Sequence, residues 1–411
     1  MPRSGVLILL TSLYFAQGLP FGFFTQAVPV VLRDEGYSLT AISFTGLLYL
    51  PWGIKFLWAP AVDRFGTRRR WLLATQFGAA GVALLLAATD LSTSLRWLFV
   101  AIAAINLFSA TQDIATDGLA VRMLGPRERG LGNAIQTGAY RVGMIVGGGV
   151  LLWVYAEAGW RILLLSLGAL ILLCTVPVLL LVRDDAARDD DTGTGSPGPR
   201  EPLVTAWLGR LRRPGVIALI ALLAAYKFGN AMASSVAGPF LRDSGLTLQE
   251  IAVVNGGLSS AGALLGSAAG GWLAFRHGRR TALVFGGVAQ SLAILLYLAA
   301  AVGMGGYALI VTASLSEHIL GGAATVALFT LMMDATEKDH EGADYTLFAC
   351  AVVAAQGAAG FAAGVLGDAA GYPTVFAVST VLSGLGCLVF TRALDRGAGP
   401  RPLSPLGDPD R

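Results

Sequence analysis

The chain has 411 residues and a formal net charge of only +3; 55% of its residues are hydrophobic and 13% are charged. Soluble proteins average about 25% charged residues, so this composition excludes a string of soluble domains and predicts an all-α membrane protein. The basic residues lie in short loops between apolar runs, which argues against nucleic-acid binding. Cys174, Cys350 and Cys387 all lie in apolar runs, which favours free thiols over a disulfide or zinc framework.

Twelve apolar runs have the length of a membrane-spanning helix, which needs about 20 residues. We number them spans 1 to 12, at about 5–32, 39–61, 71–89, 96–121, 130–154, 160–182, 215–241, 248–274, 281–302, 307–333, 344–369 and 373–392. Because no cleavage-site pattern follows the first run, we interpret it as a retained span and not as a signal peptide.

The longest hydrophilic segment divides these spans into two groups of six. Residues 183–214 are rich in Asp, Gly and Pro and predict a flexible cytoplasmic linker. The flanking segments, 1–182 and 215–392, predict an N-terminal and a C-terminal six-helix bundle. Residues 393–411 are rich in Pro and Gly and predict a disordered cytoplasmic tail.

The basic residues are unevenly distributed between the two sides of the predicted membrane. The loops of one side hold four arginines, Arg33, Arg96, Arg161 and Arg242. Three basic residues lie within spans, and the others lie on the opposite side with both termini and the linker. Since cytoplasmic loops carry an excess of Lys and Arg, we expect a multi-pass protein of the cell (inner or plasma) membrane with both termini in the cytoplasm.

The two halves of the chain contain related motifs at a nearly constant offset. The segment beginning Leu32-Arg-Asp-Glu-Gly36 recurs as Leu241-Arg-Asp-Ser-Gly245, and Asp63-Arg-Phe-Gly66 aligns with Phe275-Arg-His-Gly278. Both halves keep the same membrane orientation, as parallel repeats do. The sequence therefore predicts two parallel, pseudo-symmetric six-helix bundles with a solute cavity between them near the middle of the membrane.

The loop between spans 2 and 3 carries a recognisable motif. Asp63-Arg-Phe-Gly-Thr-Arg-Arg-Arg70 resembles the Asp-Arg-x-Gly-x-Arg-Arg loop of the major facilitator superfamily. Gly66 permits a tight turn, and the resemblance implies that Asp63, Arg64, Gly66 and Arg68 gate the transporter. The alternative is that the arginines only keep this loop in the cytoplasm. In the second copy Phe275 replaces the aspartate, so we expect a weaker latch there.

Further motifs in the first half resemble the AmpG muropeptide permeases. The matching segments are Phe15-Ala-Gln-Gly-Leu-Pro20, Lys55-Phe-Leu-Trp-Ala-Pro60, Arg69-Arg-Trp-Leu-Leu-Ala-Thr-Gln76, Thr111-Gln-Asp-Ile-Ala-Thr-Asp117 and Tyr140-Arg-Val-Gly-Met144. Two of these patterns also resemble the acetyl-CoA transporters of the endoplasmic reticulum. The second half is generic. The resemblance implies proton-driven import (symport) of an anhydro-muropeptide or a related anionic sugar or nucleotide conjugate.

Span 4 contains two carboxylates within its apolar run. Asp113 and Asp117 lie four residues apart, so they share one face of a helix, and a charge at this depth rarely faces lipid. We predict that both line a polar cavity and take part in proton coupling, with Gln112 as a solute contact. The alternative is that one carboxylate only anchors a loop. Lys55 is expected to pair with Asp113 or Asp117, in a role more structural than solute-binding and grouped with the gating residues.

Two cations lie near mid-membrane, on spans 5 and 7. Arg141 and Lys227 together would suit a phosphate, carboxylate or lactyl group. Their polar neighbours Tyr140, Gln136 and Asn230 complete the predicted solute-binding set. The alternative is that each cation neutralises an internal acid, with Asp113 as a candidate partner for Arg141.

Glu317 and His318 on span 10 are the remaining candidates for proton coupling. Both residue types can exchange protons near neutral pH in a suitable environment. Adjacent helical residues point about 100° apart, so we expect only one of them to face the cavity fully. His318 could equally be a packing residue.

The sequence thus predicts a proton-coupled importer of an anionic solute that works by alternating access. The alternatives are a proton-coupled exporter of drugs or metabolites, an acyl-CoA-like anion transporter and a non-transporting membrane sensor. An enzyme is not predicted, because there is no paired His-Glu metal motif and no Ser-His-Asp arrangement. The expected partners are the solute, protons and the lipid bilayer, for a monomer without cofactor, metal or nucleic acid.

Overall fold

The protein is helical throughout the part that its computed structural model describes, residues 3–89, 95–123, 129–182, 209–336 and 341–400. Within these ranges, eight helical stretches are long and apolar enough to cross a membrane. Two of them, Ile135–Leu181 and Asp344–Asp395, each hold two predicted spans and bend sharply at Gly159 and Gly371, where φ is positive. The remaining two predicted spans are the segmented stretch 39–64 and the helix Arg68–Leu86.

The helices of the first half are regular except in span 2 and at two π-helical turns. Span 1 comprises Arg3–Gly22, a π turn at Phe23–Ala27, and Val28–Asp34. Span 2 comprises Leu39–Ser43, the 3-10 helix Phe44–Tyr49, Leu50–Ile54, the 3-10 turn Lys55–Leu57 and Ala59–Arg64. Span 3 is Arg68–Leu86, span 4 is Leu95–Met123, and spans 5 and 6 comprise Arg129–Ile145, the π turn Val146–Val150 and Leu151–Leu181. Span 2 contains two glycines and two prolines, residues that weaken or interrupt the helical hydrogen-bond ladder.

The helices of the second half follow the same order with fewer interruptions. Their bounds are Val216–Asp243, Leu248–Ile251, the π-helical Ala252–Ser259, Ser260–His277, Arg279–Ala301, Gly306–Asp334 and the bent Glu341–Asp395. Most of the predicted linker and the last residues of the predicted tail lie outside the described residues. The prediction of an all-α protein with twelve spans is confirmed.

The chain forms two compact units, and each unit includes a short segment from the opposite half of the sequence. Unit 1 contains Met1–Val31, Ile54–Arg200 and Leu248–Gly256, and unit 2 contains Leu32–Gly53, Glu201–Thr247 and Gly257–Arg411. The beginning of span 2 therefore packs among helices of the second half, and the beginning of span 8 packs among helices of the first half.

Each unit has its own apolar core. In unit 1 the core includes Leu9, Leu13, Leu72, Ala115 and Val178. In unit 2 it centres on aromatic and branched side chains, among them Leu223, Tyr226, Leu283, Leu328 and Phe390.

Spans 8 and 10 approach each other closely in unit 2 because small residues face the contact. A methyl group built on Gly266 would lie 1.8 Å from the backbone oxygen of Ile319, whereas one built on Gly271 would meet only a Val326 methyl, at 3.6 Å. Close helix approach through small residues is a common packing mode in membrane proteins.

Gly266→Ala should therefore destabilise the protein by about 1–3 kcal/mol, because the added methyl forces the two backbones apart. Gly271→Ala on the same helix is the matched control and should leave stability unchanged or slightly raised, since alanine favours helix more than glycine does. Thermal unfolding of the purified protein in detergent measures both. Equal melting temperatures for the two variants would contradict the close approach of spans 8 and 10.

Candidate functional site

The first polar cluster lies in unit 1, where an irregular helix meets a straight one. Lys55 begins the 3-10 turn of span 2, and Asp113 lies in the middle of Leu95–Met123. The Lys55 Nζ contacts Asp113 Oδ2, and the two side chains are 24% and 11% exposed. We expected Lys55 to pair with Asp113 or Asp117, and in the structure it pairs with Asp113. Trp58 Nε1 donates a hydrogen bond to Thr111 Oγ1 (3.1 Å) and joins the same two spans.

Asp117 is held by a different set of groups. Its Oδ1 accepts hydrogen bonds from the Tyr14 hydroxyl of span 1 (3.0 Å) and from Gln136 Nε2 of span 5 (3.3 Å). Both donors are neutral, in contrast to the ammonium group beside Asp113. Sequence reasoning did not single out Tyr14, although it directly precedes the Phe15–Pro20 motif. Gln112 donates to the Leu13 carbonyl (3.3 Å) and is buried, so it fastens span 4 to span 1.

Arg141 differs from Lys55 in its surroundings. It is partly buried near the end of Arg129–Ile145, and its guanidinium makes no hydrogen bond or ion pair with any residue that the structure describes. Asp113, which we considered as its partner, is engaged by Lys55. The neighbouring Tyr140 packs its ring 5.8 Å from that of Phe21. A partly buried guanidinium that has no counter-ion among the described residues is suited to binding an anion.

The second polar cluster lies in unit 2 and joins spans 7 and 10. The buried Lys227 Nζ donates to Asn230 Oδ1 (3.2 Å) and to Thr325 Oγ1 (3.0 Å). Glu317 Oε1 accepts from Asn230 Nδ2 (2.8 Å) and from the Ser234 hydroxyl (2.6 Å). We did not single out Ser234 and Thr325 from the sequence. Ser234 was accessible to such reasoning, because residues 227, 230 and 234 lie on one helical face.

Glu317 and His318 contact each other, although they are adjacent on one helix. His318 Nδ1 lies 3.0 Å from Glu317 Oε2 and also 3.0 Å from the Ser314 carbonyl oxygen. Glu317 is 5% exposed and His318 is 20% exposed at the side chain. We expected the two side chains to point in different directions, but their polar atoms lie within hydrogen-bond distance of each other.

The loop between spans 2 and 3 has the expected tight turn. Gly66 is exposed and has a φ of 75°. The guanidinium of Arg68 lies against Gly118 of span 4 and donates to the Ala115 carbonyl at 3.5 Å. The side chains of Asp63 and Arg64 lie outside the described part of the chain.

The corresponding loop of the second half is fastened by other ion pairs. Phe275, which occupies the position of the aspartate, is 88% exposed. Two of the arginines that follow it are paired, since Arg279 contacts Asp334 at the end of span 10 and Arg280 Nε donates to Asp395 Oδ1 (2.8 Å). Loss of the aspartate therefore does not leave this loop without electrostatic contacts.

A family model described as the Major Facilitator Superfamily matches residues 10–228 and 217–408. The chain belongs to the major facilitator superfamily. Among its curated relatives is the anhydromuropeptide permease of Escherichia coli (strain K12), 30% identical over 400 residues, which are 95% of this chain and 80% of that protein. A putative transporter AmpG 4 of Rickettsia felis is 24% identical over 67% of this chain and 69% of its own length. The protein is thus a major facilitator transporter of the AmpG group and not an enzyme.

Solved structures of the superfamily share the fold. A bacterial homologue of the human lysosomal transporter Spinster, in an inward-facing and unoccupied conformation, has a TM-score of 0.73 and 18% identity, over 95% of this chain and 96% of that one. The peptide transporter POT in complex with sulfate has a TM-score of 0.71 and 14% identity, over 95% and 94%. The match with the superfamily agrees with a multi-pass membrane protein.

The Lys55–Asp113 pair generates a prediction about stability. Lys55→Met leaves a carboxylate without its cation inside the bundle, and removal of one partner from a buried pair costs about 3–5 kcal/mol. The double variant Lys55→Met/Asp113→Leu removes both charges and should recover most of the loss.

Thermal unfolding in detergent measures this effect, with Arg161→Met as the control. Arg161 is exposed and makes no hydrogen bond or ion pair with the residues described, so its loss should change little. A double variant that is no more stable than Lys55→Met would contradict the assigned pairing.

Proposed function

We propose that this transporter imports an anionic sugar–peptide solute of the anhydro-muropeptide class by alternating access, driven by protons. The observation that carries the proposal is the guanidinium of Arg141, which has no counter-ion among the described residues. Membrane proteins rarely keep a charge at this depth without a use for it. The relation to an anhydromuropeptide permease supplies the solute class.

Arg141 is assigned to the anionic group of the solute. A guanidinium can hold a carboxylate through two parallel hydrogen bonds, which fixes orientation as well as position. Tyr140 precedes it on the same helix and is assigned, with Gln136, to the polar part of the solute. Gln112 is assigned a supporting role, since its amide already fastens span 4 to the Leu13 carbonyl.

Asp117 is assigned as the principal proton carrier. Protonation of Asp113 would break its ion pair with the ammonium of Lys55, which is costly inside a bundle. Asp117 has only the neutral donors Tyr14 and Gln136 as described hydrogen-bond partners, so its protonation leaves no charge behind. This difference favours Asp117 over Asp113 for reversible proton binding.

Lys227, Asn230, Glu317 and His318 are assigned to a second proton-responsive group in unit 2. Lys227 and Glu317 both form hydrogen bonds with Asn230, so a change of charge on one of them alters the hydrogen bonding of the other. We assign Lys227 to this network and to the solute, and His318, the more exposed member, to exchange of the proton. An exporter of apolar drugs would be expected to have fewer charged groups in its interior than these two clusters contain.

The solute assignment is tested by uptake of labelled anhydro-muropeptide into proteoliposomes. Arg141→Ala should raise the concentration for half-maximal uptake by about tenfold or more, because a charge-assisted hydrogen bond contributes about 1.5–3 kcal/mol. Arg141→Lys should recover part of the loss, since it restores the charge without the bidentate geometry. Arg161→Ala is the control and should transport normally.

Two results would overturn this assignment. Unchanged half-saturation in Arg141→Ala would remove Arg141 from the solute site. No uptake by a well-folded wild-type protein would remove anhydro-muropeptides, and acyl-CoA-like anions would be assayed next in the same vesicles.

The coupling assignment is tested with Asp117→Asn. This variant keeps a hydrogen-bonding side chain but cannot carry a proton, so we expect uptake that no longer responds to an imposed proton gradient. Exchange of labelled for unlabelled solute at equal pH should persist, because it needs no net proton movement. Gradient-driven uptake at the wild-type rate would exclude Asp117 as the principal carrier.

A further inference from the structure

Two glutamines in the interior of unit 1 carry polar groups that the described residues do not satisfy. Gln76 of span 3 is 0% exposed, and neither its Oε1 nor its Nε2 has a hydrogen-bond partner in the described part of the chain. Gln17 of span 1 is 1% exposed, and its Nε2 also has no partner there. Burial of a polar group without a hydrogen bond is costly, so most buried polar groups bond to protein or to ordered water. The proposed transport mechanism uses neither glutamine.

Both glutamines lie one helical turn beyond the apolar core of unit 1. Spans 1, 3, 4 and 6 all contribute to that core, among others with Leu13, Leu72, Ala115 and Val178. Gln17 follows Leu13 by four residues and Gln76 follows Leu72 by four, so each glutamine shares the helical face of its leucine. Spans 1 and 3 run in the same direction, because two chain reversals separate them. Gln17 and Gln76 therefore lie on the same side of the core.

Contacts on either side of Gln76 fix its level against span 4, which runs in the opposite direction. Leu72 packs with Ala115 in the core, and a methyl group built on Gly78 would lie 2.7 Å from the Phe108 ring. Gln76 lies between these two contacts and is therefore level with residues 109–112 of span 4.

The level of Gln76 against span 6 follows in the same way. Leu72 packs with Val178, and a methyl group built on Gly168 would lie 3.1 Å from Leu84 Cδ2. Gln76 is therefore level with Cys174 and Thr175, which precede Val178 by about one turn.

The side chains at this level are buried, polar and neutral. Ser109 and Gln112 are each 3% exposed, and Thr175 is 1% exposed. Gln112 Nε2 donates to the Leu13 carbonyl (3.3 Å) and the Thr175 hydroxyl to the Ile171 carbonyl (3.0 Å), so these donors are not directed at Gln76. The nearest charged residue along span 4 is Asp113, which Lys55 engages. A ligand at this level must therefore be small and neutral, and must both donate and accept hydrogen bonds.

We propose that unit 1 binds ordered water molecules among spans 1, 3, 4 and 6, with Gln17 and Gln76 as their principal ligands. Water donates and accepts, as an amide does, and a buried water molecule makes about three hydrogen bonds to such groups. The bound water joins spans 1 and 3 through hydrogen bonds, across a level where the apolar core has ended. The inference rests neither on the solute nor on the proton coupling proposed above.

Unit 2 has the same feature on the equivalent span. Gln290 of span 9 is 0% exposed, and both of its amide atoms lack a partner among the residues described. Gly286, one turn earlier on the same face, packs against span 10, where a methyl group built on it would lie 2.7 Å from Ala324 Cα. Gln290 therefore faces the interior of unit 2, as Gln76 faces that of unit 1.

Radiolytic footprinting tests the water site directly. An X-ray pulse converts water, including bound water, into hydroxyl radicals, which oxidise the side chains beside it even where bulk solvent does not reach. Cys174 is the reporter because it is level with Gln76. Cys350 of unit 2 is the internal standard for radical dose, because it is buried to the same degree, with 7% exposure for both. The full-length protein is irradiated in lipid nanodiscs, and oxidation is measured by mass spectrometry.

We expect Cys174 to be oxidised in the unmodified protein and several-fold less in Gln76→Leu, with Cys350 unchanged. Leucine is similar in size to glutamine but cannot bind water. Phe77→Leu is the matched control, since Phe77 is the next residue of span 3 and is 49% exposed. This variant should leave the oxidation of both cysteines unchanged.

Thermal unfolding of the same variants gives a second, independent readout. If water satisfies the Gln76 amide, Gln76→Leu loses those hydrogen bonds and its melting temperature should fall or stay the same. If the amide has no partner at all, the same change removes a costly buried group and the melting temperature should rise.

Three results would overturn the water site. These are no radiolytic oxidation of Cys174 in the unmodified protein, equal oxidation of Cys174 in Gln76→Leu and the unmodified protein, and a melting temperature of Gln76→Leu above that of the unmodified protein. If Gln76→Leu does not fold, Gln17→Leu removes the other principal ligand and is judged by the same criteria.

Discussion

The cost of placing a charge away from water is the constraint on which the interior of this protein depends. A lone charge at bilayer depth is expensive, and breaking a buried pair costs more than removing it entirely. Lys55 therefore links the broken helix of span 2 to the straight helix of span 4 through Asp113. In unit 2, Asn230 and Ser234 supply the hydrogen bonds that a buried Glu317 needs. Against this background the guanidinium of Arg141 stands out, since the described residues do not compensate it.

The two halves share a scaffold but have diverged in their interior chemistry. Unit 1 combines an ion pair, a carboxylate held by neutral donors and a cation available to an anion. Unit 2 contains a continuous network in which Lys227 and Glu317 share Asn230. The copies remain alike at the ends of spans 1 and 7, where Arg33 binds Asp243 and Arg242 binds Asp34. A reciprocal contact needs the same two residue types in both copies, whereas a solute that is itself asymmetric needs different ones.

Hydropathy and charge distribution were sufficient to predict the helical fold and the spans, because these depend on residue composition over tens of residues. The internal repeat was predicted from short motifs that recur at a nearly constant offset. The partner of Lys55 depended on the rotation of span 4 against span 2, which sequence spacing leaves open between Asp113 and Asp117. Thr325 was missed because a threonine within a span commonly bonds to its own helix, and this one does so with the Gly321 carbonyl. The exchange of segments between the units involves contacts that no local pattern encodes.

Span 5 offers a physical route between proton and solute in the proposed mechanism. Gln136, which donates to Asp117, and Arg141 lie on one helix, about 7.5 Å apart along its axis at a rise of 1.5 Å per residue. A proton on Asp117 weakens the bond from Gln136, because a neutral carboxyl group is a poorer acceptor than a carboxylate. The helix that carries Arg141 then has one fewer strong contact to span 4. In the proposed mechanism, release of the solute from Arg141 and release of span 5 from Asp117 would thereby be joined through one helix.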